Sequence, residues 1–374
     1  MAAGAAVAAC TAPVEELPAT SGREAIIDGI SDREVSFAAL PGWLEDDHAA
    51  ALMTFLRSCP RLEATTGSVR GGDAVVVPLA DWQTACARAR RVPAGDRQAA
   101  RAFFEGQFSP FAVGAGRDSG GGLFTGYFEP QLSGATRPDG RYRVPLYRPP
   151  PDLAAALAKG QPHHARSAID AGALAGQGLE LLWVDDPLDA FFLHVQGSGR
   201  VALADGGVVR VGFAGKNGHP YFAIGRELVA RGALTRDEVS MQSIRAWLRD
   251  NPDEAQEVMA LNPSYVYFRI LDGTAEGDGP IGAMGVPLTP GRSLAVDPAF
   301  VPYGAPVWIE TADPLAPARP LRRLLIAQDT GTAIKGAGRG DVFWGYGPEA
   351  AARAGAMKSP GRSWLLLPRS ATTS

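Results

Sequence analysis

The pattern of apolar and polar residues predicts a protein built mainly of β-strands, with helices near its start. Apolar positions recur at helical spacing in residues 43–59, 79–91 and 96–108, and again in 235–250, where Asn251 and Pro252 end the pattern. Short apolar or alternating runs predict strands at residues 123–128, 191–196, 208–213, 324–327 and 342–344. The 45 glycines and 30 prolines among 374 residues also favour a β-rich architecture with many turns.

The order of these elements divides the chain into two domains, because 374 residues exceed the size at which one core usually keeps growing. A segment rich in Pro, Tyr and Arg at 137–151 indicates that the chain is leaving the first domain. We predict a tail and linker at 1–40, a discontinuous domain from 41–130 and 263–374, and an inserted domain at 131–262. Such an arrangement leaves a groove between the domains, where an extended ligand can bind.

A glycine-dense loop between residues 328 and 345 carries the strongest candidate chemistry. Asp329 ends one apolar strand and Asp341 begins the next, with Lys335 and Arg339 between them. Four glycines in this loop allow tight turns and the close approach of a ligand. A carboxyl beside an apolar strand is partly desolvated, which raises its pKa and suits a general acid. The alternative is an aspartate that only accepts hydrogen bonds from loop amides.

Five ordered motifs resemble the MltA family of murein lytic transglycosylases, including its C-terminal three-aspartate domain. Thr332 is a departure, since the family pattern leads us to expect a second glycine after Gly331. The motifs are GLFTGYFEP (122–130), FFLHVQGSGR (191–200), SYVYFRI (264–270), AVDPAFVPYGAPVWIE (295–310) and AQDTGTAIKGAGRGDVFWGYG (327–347).

The resemblance implies a double-psi six-stranded β-barrel with a smaller inserted β-domain. It also implies cleavage of the β-1,4 bond between N-acetylmuramic acid and N-acetylglucosamine in peptidoglycan, with a 1,6-anhydro product. Asp341 then acts as general acid and afterwards as base, and Asp329 assists it. Asp297, which precedes a proline, is expected to form a turn.

Polar strand ends supply the candidate substrate-binding residues, because hydroxyl, amide and aromatic groups suit a sugar chain. We expect the two strand ends 125–127 and 196–199 to face each other across the groove. A barrel-packing role for the first and a plain hairpin turn for the second are the alternatives. The candidates are Thr125, Gly126, Tyr127, Gln196, Gly197, Ser198, Gly199 and Tyr221.

The remaining sequence features bear on location and partners. Val-Ala-Ala-Cys ending at Cys10 looks like a lipoprotein signal, but no Lys or Arg precedes it and the apolar segment is short. A truncated or misassigned start and a low-complexity alanine tail are equal alternatives. We expect a monomer in the periplasm or cell envelope, with glycan strands of peptidoglycan as the partner. Lipidation of Cys10 would anchor it to the outer membrane. A net charge of −4 argues against nucleic acid, and the scattered histidines predict no metal or cofactor. Cys59 and Cys86 are either one disulfide or two buried thiols.

Two other functions are weighed against this one. An aspartic protease would pair Asp329 with Asp118, but no apolar strand precedes Asp118, so two equivalent lobes are missing. A carbohydrate-binding module without catalysis would lack a dry pocket around Asp341.

Overall fold

The computed structural model describes residues 26–369 except 28, 73–74, 115–120, 272–277 and 332. Its helices are α1 (His48–Ala64), α2 (Leu79–Ala89), α3 (Arg97–Gln107), α4 (Leu153–Ala158), α5 (Arg166–Asp170), α6 (Pro187–Gln196), α7 (Ile224–Ala230), α8 (Met241–Asp250), α9 (Pro252–Ala260) and α10 (Gly347–Ala356). Its strands are β1 (Ile26–Ile27), β2 (Ile30–Glu34), β3 (Ser68–Gly71), β4 (Val75–Pro78), β5 (Phe108–Val113), β6 (Gly122–Glu129), β7 (Gln131–Ala135), β8 (Val144–Tyr147), β9 (Glu180–Val184), β10 (Ser198–Leu203), β11 (Val208–Lys216), β12 (Val266–Ile270), β13 (Ser293–Val296), β14 (Pro306–Asp313), β15 (Ala316–Asp329), β16 (Arg339–Tyr346) and β17 (Lys358–Pro368).

Six strands close into a barrel in the order β17, β14, β15, β13, β16 and β6, and β6 then pairs back with β17. This confirms the predicted six-stranded barrel and the mainly β fold with helices. The apolar run at 324–327 lies within β15, where all four side chains are fully buried. Trp308 of β14 pairs directly with Leu324 and is also fully buried, so the two strands share one core.

The three predicted helices near the start are confirmed and pack against the barrel. Asp47 caps α1 by accepting a hydrogen bond from Ala50 N, and Asp96 caps α3 in the same way from Ala99 N. Cys59 and Cys86 form a disulfide that joins α1 to α2, with 5.7 Å between the Cα atoms. Of the two alternatives for these cysteines, the disulfide is therefore confirmed and the pair of free thiols is wrong. Among the described helices, none is long and apolar enough to span a bilayer.

The predicted linker at 1–40 is wrong for its last part. Ile30–Glu34 forms β2, which pairs with β5 and so extends the barrel sheet. Ile30 and Ser31 are buried there. The sequence of β2 is short and mostly polar, so it resembles a linker.

The inserted domain is a second sheet of six strands in the order β12, β11, β10, β7, β9 and β8. The predicted boundary at 262 is wrong, because Val266–Ile270 pairs with β11 of this sheet and not with the barrel. The inserted sheet therefore extends to Ile270. Helices α6 to α9 enclose a cluster of apolar side chains beside it.

Residues 191–196, predicted as a strand, belong to helix α6. Asp186 accepts a hydrogen bond from Leu188 N, and Pro187 occupies the first helical turn, which together start the helix. Leu193 packs into the sheet core while Phe191 packs into the cluster between the helices. A helix buried on both sides is apolar all round, so it lacks the polar face that identifies most helices in a sequence.

The predicted helix at 235–250 is confirmed only as α8, from residue 241. Ser240 caps it together with the side chain of Ser243. Asn251 ends α8 as predicted, but Pro252 at once begins α9. Proline is well tolerated in the first turn of a helix, so the same residue that stops one helix starts the next.

The two domains meet where β6 ends and β7 begins. Arg210 of β11 donates a hydrogen bond to Glu129 of β6 over 3.2 Å, and both side chains are almost fully buried. A second bond from Arg210 reaches the carbonyl oxygen of Gly279 over 3.1 Å. The Arg200 guanidinium lies 3.7 Å from the centre of the Tyr346 ring of the barrel. Two arginines of the inserted sheet thus hold it in a fixed position against the barrel.

Candidate active site

Strand pairing places the two loop aspartates at the same level of the barrel. Ala295 of β13 is the register partner of Asp329 on one side and of Asp341 on the other. Neighbouring strands lie about 4.8 Å apart, so two strand spacings separate the backbones of the two aspartates. Thr125 of β6 is in turn the partner of Asp341. The residues Asp329, Ala295, Asp341 and Thr125 form a row across four strands, which we call the carboxylate row.

Asp341 lies in a partly buried position with few hydrogen bonds. The Thr125 hydroxyl donates to its Oδ1 over 2.7 Å and itself accepts a bond of 2.8 Å from Arg339. Burial raises the pKa of Asp341 to about 6, although the Thr125 bond and the Arg339 charge both act to lower it. The negative charge of Asp329 adds a smaller upward effect. A carboxyl of this kind can hold a proton near neutral pH and deliver it to a substrate.

Asp329 is held by donors from two sides. The Tyr127 hydroxyl donates to its Oδ2 over 2.8 Å, and Ala283 N donates to its Oδ1 over 2.9 Å. Burial and the neighbouring carboxylate raise the pKa of Tyr127 well above its usual range, so the phenol remains a hydrogen-bond donor. The preceding residue, Gln328, is fully buried and donates to Thr54 O and Ser58 Oγ of α1. Asp329 is thereby fixed in place by both its own contacts and those of its neighbour.

Asp297 forms the turn that the sequence predicts and also supports the glycine loop. Its Oδ1 accepts a bond from Ala299 N over 3.2 Å, which is a local turn contact. Its Oδ2 accepts a bond of 2.8 Å from Gly336 N, at a position whose φ of +96° favours glycine. Asp297 therefore ties the loop between the other two aspartates to the end of β13.

The candidate substrate-binding residues of β6 point in two directions. Thr125 and Tyr127 face the carboxylates, as their hydrogen bonds to Asp341 and Asp329 require. Gly126 faces the other side of the strand, where an added Cβ would lie 2.7 Å from the Trp344 ring and 2.9 Å from Ala354 Cα. Gly126 is thus a packing position beneath α10, because only glycine lets the helix approach so closely.

The segment 196–199 lies at the junction of the domains, and its four residues have different surroundings. An added Cβ on Gly199 would lie 3.0 Å from the Pro130 carbonyl oxygen, so this glycine permits close packing beside the end of β6. Gly197 has a φ of +81° and ends α6. Gln196 and Phe128 both line a separate cavity. Phe128 follows Tyr127 in β6 and therefore points to the opposite face of the strand, away from the carboxylate row. Ser198 starts β10 opposite Gly212.

Tyr221 is not brought to the carboxylate row by any described contact. Its side chain is exposed, and its electrostatic neighbour is Arg166 in the inserted domain. Arg210 of β11 lies at the domain junction, whereas Tyr221 follows the opposite end of that strand. Asp118, the partner required by an aspartic protease, lies outside the described residues, as do Cys10 and Thr332.

Two groups that shape the site are not among the residues predicted from the sequence. The backbone N–H of Ala283 reaches Asp329 from a loop with no chemical signature, so no sequence signal marks it. Arg210 does have a sequence signal, because it interrupts the apolar run of Val209 and Val211 in β11. A charge at a buried strand position implies a buried partner, which here is Glu129.

Comparisons with known proteins identify the family of this chain. A family model for the MltA specific insert domain matches residues 123–269, and one for the 3D domain matches residues 292–367. Membrane-bound lytic murein transglycosylase A of Vibrio cholerae is 37% identical over 262 residues, which cover 68% of this chain and 67% of that protein.

Solved structures extend the similarity over most of the chain. The lytic transglycosylase LtgG of Burkholderia pseudomallei is 43% identical, with 94% of this chain and 98% of that chain covered and a TM-score of 0.67. MltA from Neisseria gonorrhoeae is 36% identical, with 94% of each chain covered and a TM-score of 0.77. E. coli MltA with bound chitohexaose is 29% identical, with 87% and 90% covered and a TM-score of 0.65. The chain therefore belongs to the MltA family of membrane-bound lytic murein transglycosylases, enzymes that cleave peptidoglycan.

Proposed function

We propose that this protein cleaves the β-1,4 bond between N-acetylmuramic acid and N-acetylglucosamine in peptidoglycan and leaves a 1,6-anhydro ring. The observation that carries the proposal is the raised pKa of Asp341, about 6, in a partly buried position that accepts a bond from Thr125. A carboxyl with this pKa exchanges a proton readily in both directions near neutral pH. One such group can serve as acid and then as base.

The reaction needs one proton to be given and one to be taken. Protonated Asp341 donates to the glycosidic oxygen, the bond from that oxygen to C1 of the muramic acid breaks, and the N-acetylglucosamine product leaves. The resulting carboxylate accepts the proton of the C6 hydroxyl as the C6 oxygen forms a bond to C1. Asp341 ends the cycle protonated, and no water is consumed.

Asp329 supports this chemistry through its charge. Positive charge develops on the sugar ring when the glycosidic bond breaks. Asp329 accepts bonds from Tyr127 and Ala283 N, and a carboxylate held in this way offers a fixed negative charge next to the reacting ring. It also helps to keep the proton on Asp341 before the reaction. We assign Asp329 an assisting role and not the proton transfer.

The glycan lies in the groove between the barrel and the inserted sheet. On the barrel side the proposed groove has Thr125 and Tyr127, which bond to the two carboxylates. On the side of the inserted domain it has Gly197 and Ser198, which are partly exposed. Phe213 of β11 is half-exposed, and its Cβ would lie 3.9 Å from a Cβ added to Gly197, so it offers an aromatic face for a sugar ring. The solved structure of E. coli MltA with chitohexaose supports a sugar chain as the ligand. Gln196 and Tyr221 are not part of this proposed wall.

The cell envelope is the proposed location, because the substrate is found there and the relatives are named membrane-bound. Lipidation of Cys10 would anchor the protein to the outer membrane. We propose that the protein acts as a monomer.

Mass spectrometry of products from purified peptidoglycan tests the proposed reaction. We expect fragments that end in 1,6-anhydro-muramic acid, one water lighter than the hydrolysis products. Reducing ends would instead show a hydrolase, cut peptides would show a protease, and intact strands would show a binding module. The Asp341→Asn protein, which cannot titrate at this position, serves as the matched control.

A further inference from the structure

A cavity of about 800 Å³ lies in the inserted domain, between β8, β9 and the helices α5, α6 and α9. It shares no residue with the carboxylate row. Its volume falls in the range of about 300–1,000 Å³ that is usual for small-molecule sites. The inserted domain therefore contains a second site of ligand size that the glycan reaction does not use.

Two buried polar side chains form part of its wall. Arg166 is 3% exposed and His194 is 7% exposed. Arg166 donates to Asn262 O and Ser264 O and donates over 3.1 Å to Nδ1 of His194. Because arginine has five N–H groups, these three bonds leave two without a described acceptor.

The same arrangement sets the tautomer of His194. Since Nδ1 accepts from Arg166, the ring proton is on Nε2, and within the described part of the chain Nε2 has no hydrogen-bond partner. Burial and the Arg166 charge lower the pKa of His194 well below its usual value, so the ring is neutral. Buried donors are almost always paired, and the described residues provide no acceptor for this one.

Charges of both signs complete the lining. Arg143 immediately precedes β8, and Asp170 and Glu180 contribute carboxylates from α5 and β9. Within the described part of the chain, the side chains of Arg143 and Glu180 make no hydrogen bond or ion pair. Trp183 adds an aromatic surface to the lining. A ligand that satisfies this wall carries carboxylate and ammonium groups on the same small body.

Neutral sugars do not match such a wall, whereas peptides with free ends do. The peptide stems of peptidoglycan carry several carboxylates and the free amine of a diamino acid. We propose that this cavity binds a peptide stem of peptidoglycan, with Arg143 and Arg166 facing its carboxylates and Glu180 facing its amine. The choice of peptidoglycan as the source rests on the proposed function, but the cavity and its charges do not.

Isothermal titration of the full chain with the free tetrapeptide L-alanyl-γ-D-glutamyl-diaminopimelyl-D-alanine tests this proposal. We expect saturable binding at one site, weakened at least about tenfold by Arg143→Gln and by Glu180→Gln, because each removes one charged contact. Arg148→Gln is the matched control, since Arg148 is exposed just beyond β8 and does not line the cavity. It should bind the peptide as the wild type does.

Several results would overturn the proposal. No saturable binding of the tetrapeptide at millimolar concentration would do so, and so would equal affinity in the Arg143→Gln and Glu180→Gln proteins. Chitohexaose binding that Arg143→Gln abolishes would make the cavity a sugar site and contradict the peptide assignment. The tetrapeptide contains no glycosidic bond, so its binding is independent of whether Asp341 is the catalyst.

A second titration identifies the source of the peptide. The disaccharide-linked tetrapeptide is titrated into the Asp341→Asn protein, which should not cleave it. Tighter binding than for the free peptide supports a stem that is still attached to glycan. Equal or weaker binding supports a released peptide, and both results retain the cavity as a peptide site.

Discussion

The surroundings of Asp341 and Asp329 differ although both residues pair with Ala295 on the same barrel. Asp341 accepts a bond from Thr125 and is deprived of water, so its pKa rises to about 6. Asp329 accepts bonds from a tyrosine hydroxyl and a backbone N–H. Two residues of one type can therefore perform different tasks, because hydrogen bonds and burial decide which form is stable.

The largest expected effect comes from Asp341→Asn. The amide keeps the size and polarity of the side chain but cannot give or take a proton. General acid–base catalysis contributes about 10²–10⁴-fold, and with no second group in this role the loss should reach about 10⁴-fold or more. The release of anhydro-muropeptides measures it, with circular dichroism as the check on folding. Near wild-type turnover in a folded Asp341→Asn protein would remove Asp341 from the reaction.

The pH dependence of the wild-type protein is the next largest effect. The protonated form of Asp341 starts the reaction, and its raised pKa of about 6 means that this form is lost as the pH rises beyond that value. Turnover should then fall about tenfold per pH unit above the pKa, so the optimum lies on the acidic side of neutrality. Rates measured from pH 5 to 8 at saturating substrate test this. A profile that is flat up to pH 8 would contradict the account.

Asp329→Asn should cost less than Asp341→Asn, on the order of 10-fold to 100-fold, because a fixed charge is lost and not a proton carrier. Its main signature should be a lower kcat with a small change in KM. Tyr127→Phe removes one of the two donors to Asp329 and should give a still smaller loss. If Asp329→Asn abolished turnover while Asp341→Asn retained it, the roles of the two residues would be reversed.

The smallest expected effect on the rate comes from Thr125→Val, which tests why the pKa of Asp341 differs from its usual value. Thr125→Val removes the hydroxyl whose bond lowers the pKa of Asp341, so that pKa should rise and the alkaline limb of the rate profile should move to higher pH. The rate at the optimum should fall only a few-fold, because the acid itself remains. Thr330→Val is a matched control, since Thr330 bonds to Val296 O and not to Asp341. A shift in the opposite direction would contradict the assigned effect of the hydroxyl.

The sequence predicts which residue types form the site, but it does not predict how those residues are arranged in space. Asp329 and Asp341 at strand ends, and Gly336 with its positive φ, follow from local patterns. The pairing of both aspartates with Ala295 depends on β13 lying between β15 and β16, which is a long-range contact. Likewise, alternation along β6 separates Gly126 from Thr125 and Tyr127, and only the position of α10 shows what Gly126 contacts.

The same reasoning explains what the sequence could reveal about the fold. Capped amphipathic helices such as α1 and α3 have clear local signals, and so does the apolar run at 324–327 within β15. Helix α6 does not, because it is buried between two clusters. The assignment of β12 to the inserted sheet also depends on its partner strand and not on its own residues.

Titration of the aspartate carboxyls by carbon-13 NMR tests the central claim most directly. We predict a carboxyl resonance that titrates near pH 6 in the wild type and is absent in Asp341→Asn. In Asp329→Asn the same resonance should titrate at a lower pH than in the wild type, because a neighbouring negative charge is removed. The measurement reports the protonation of the residue without depending on turnover. A resonance with this pKa that persists in Asp341→Asn, or its absence from the wild type, would contradict the assignment of Asp341 as the proton donor.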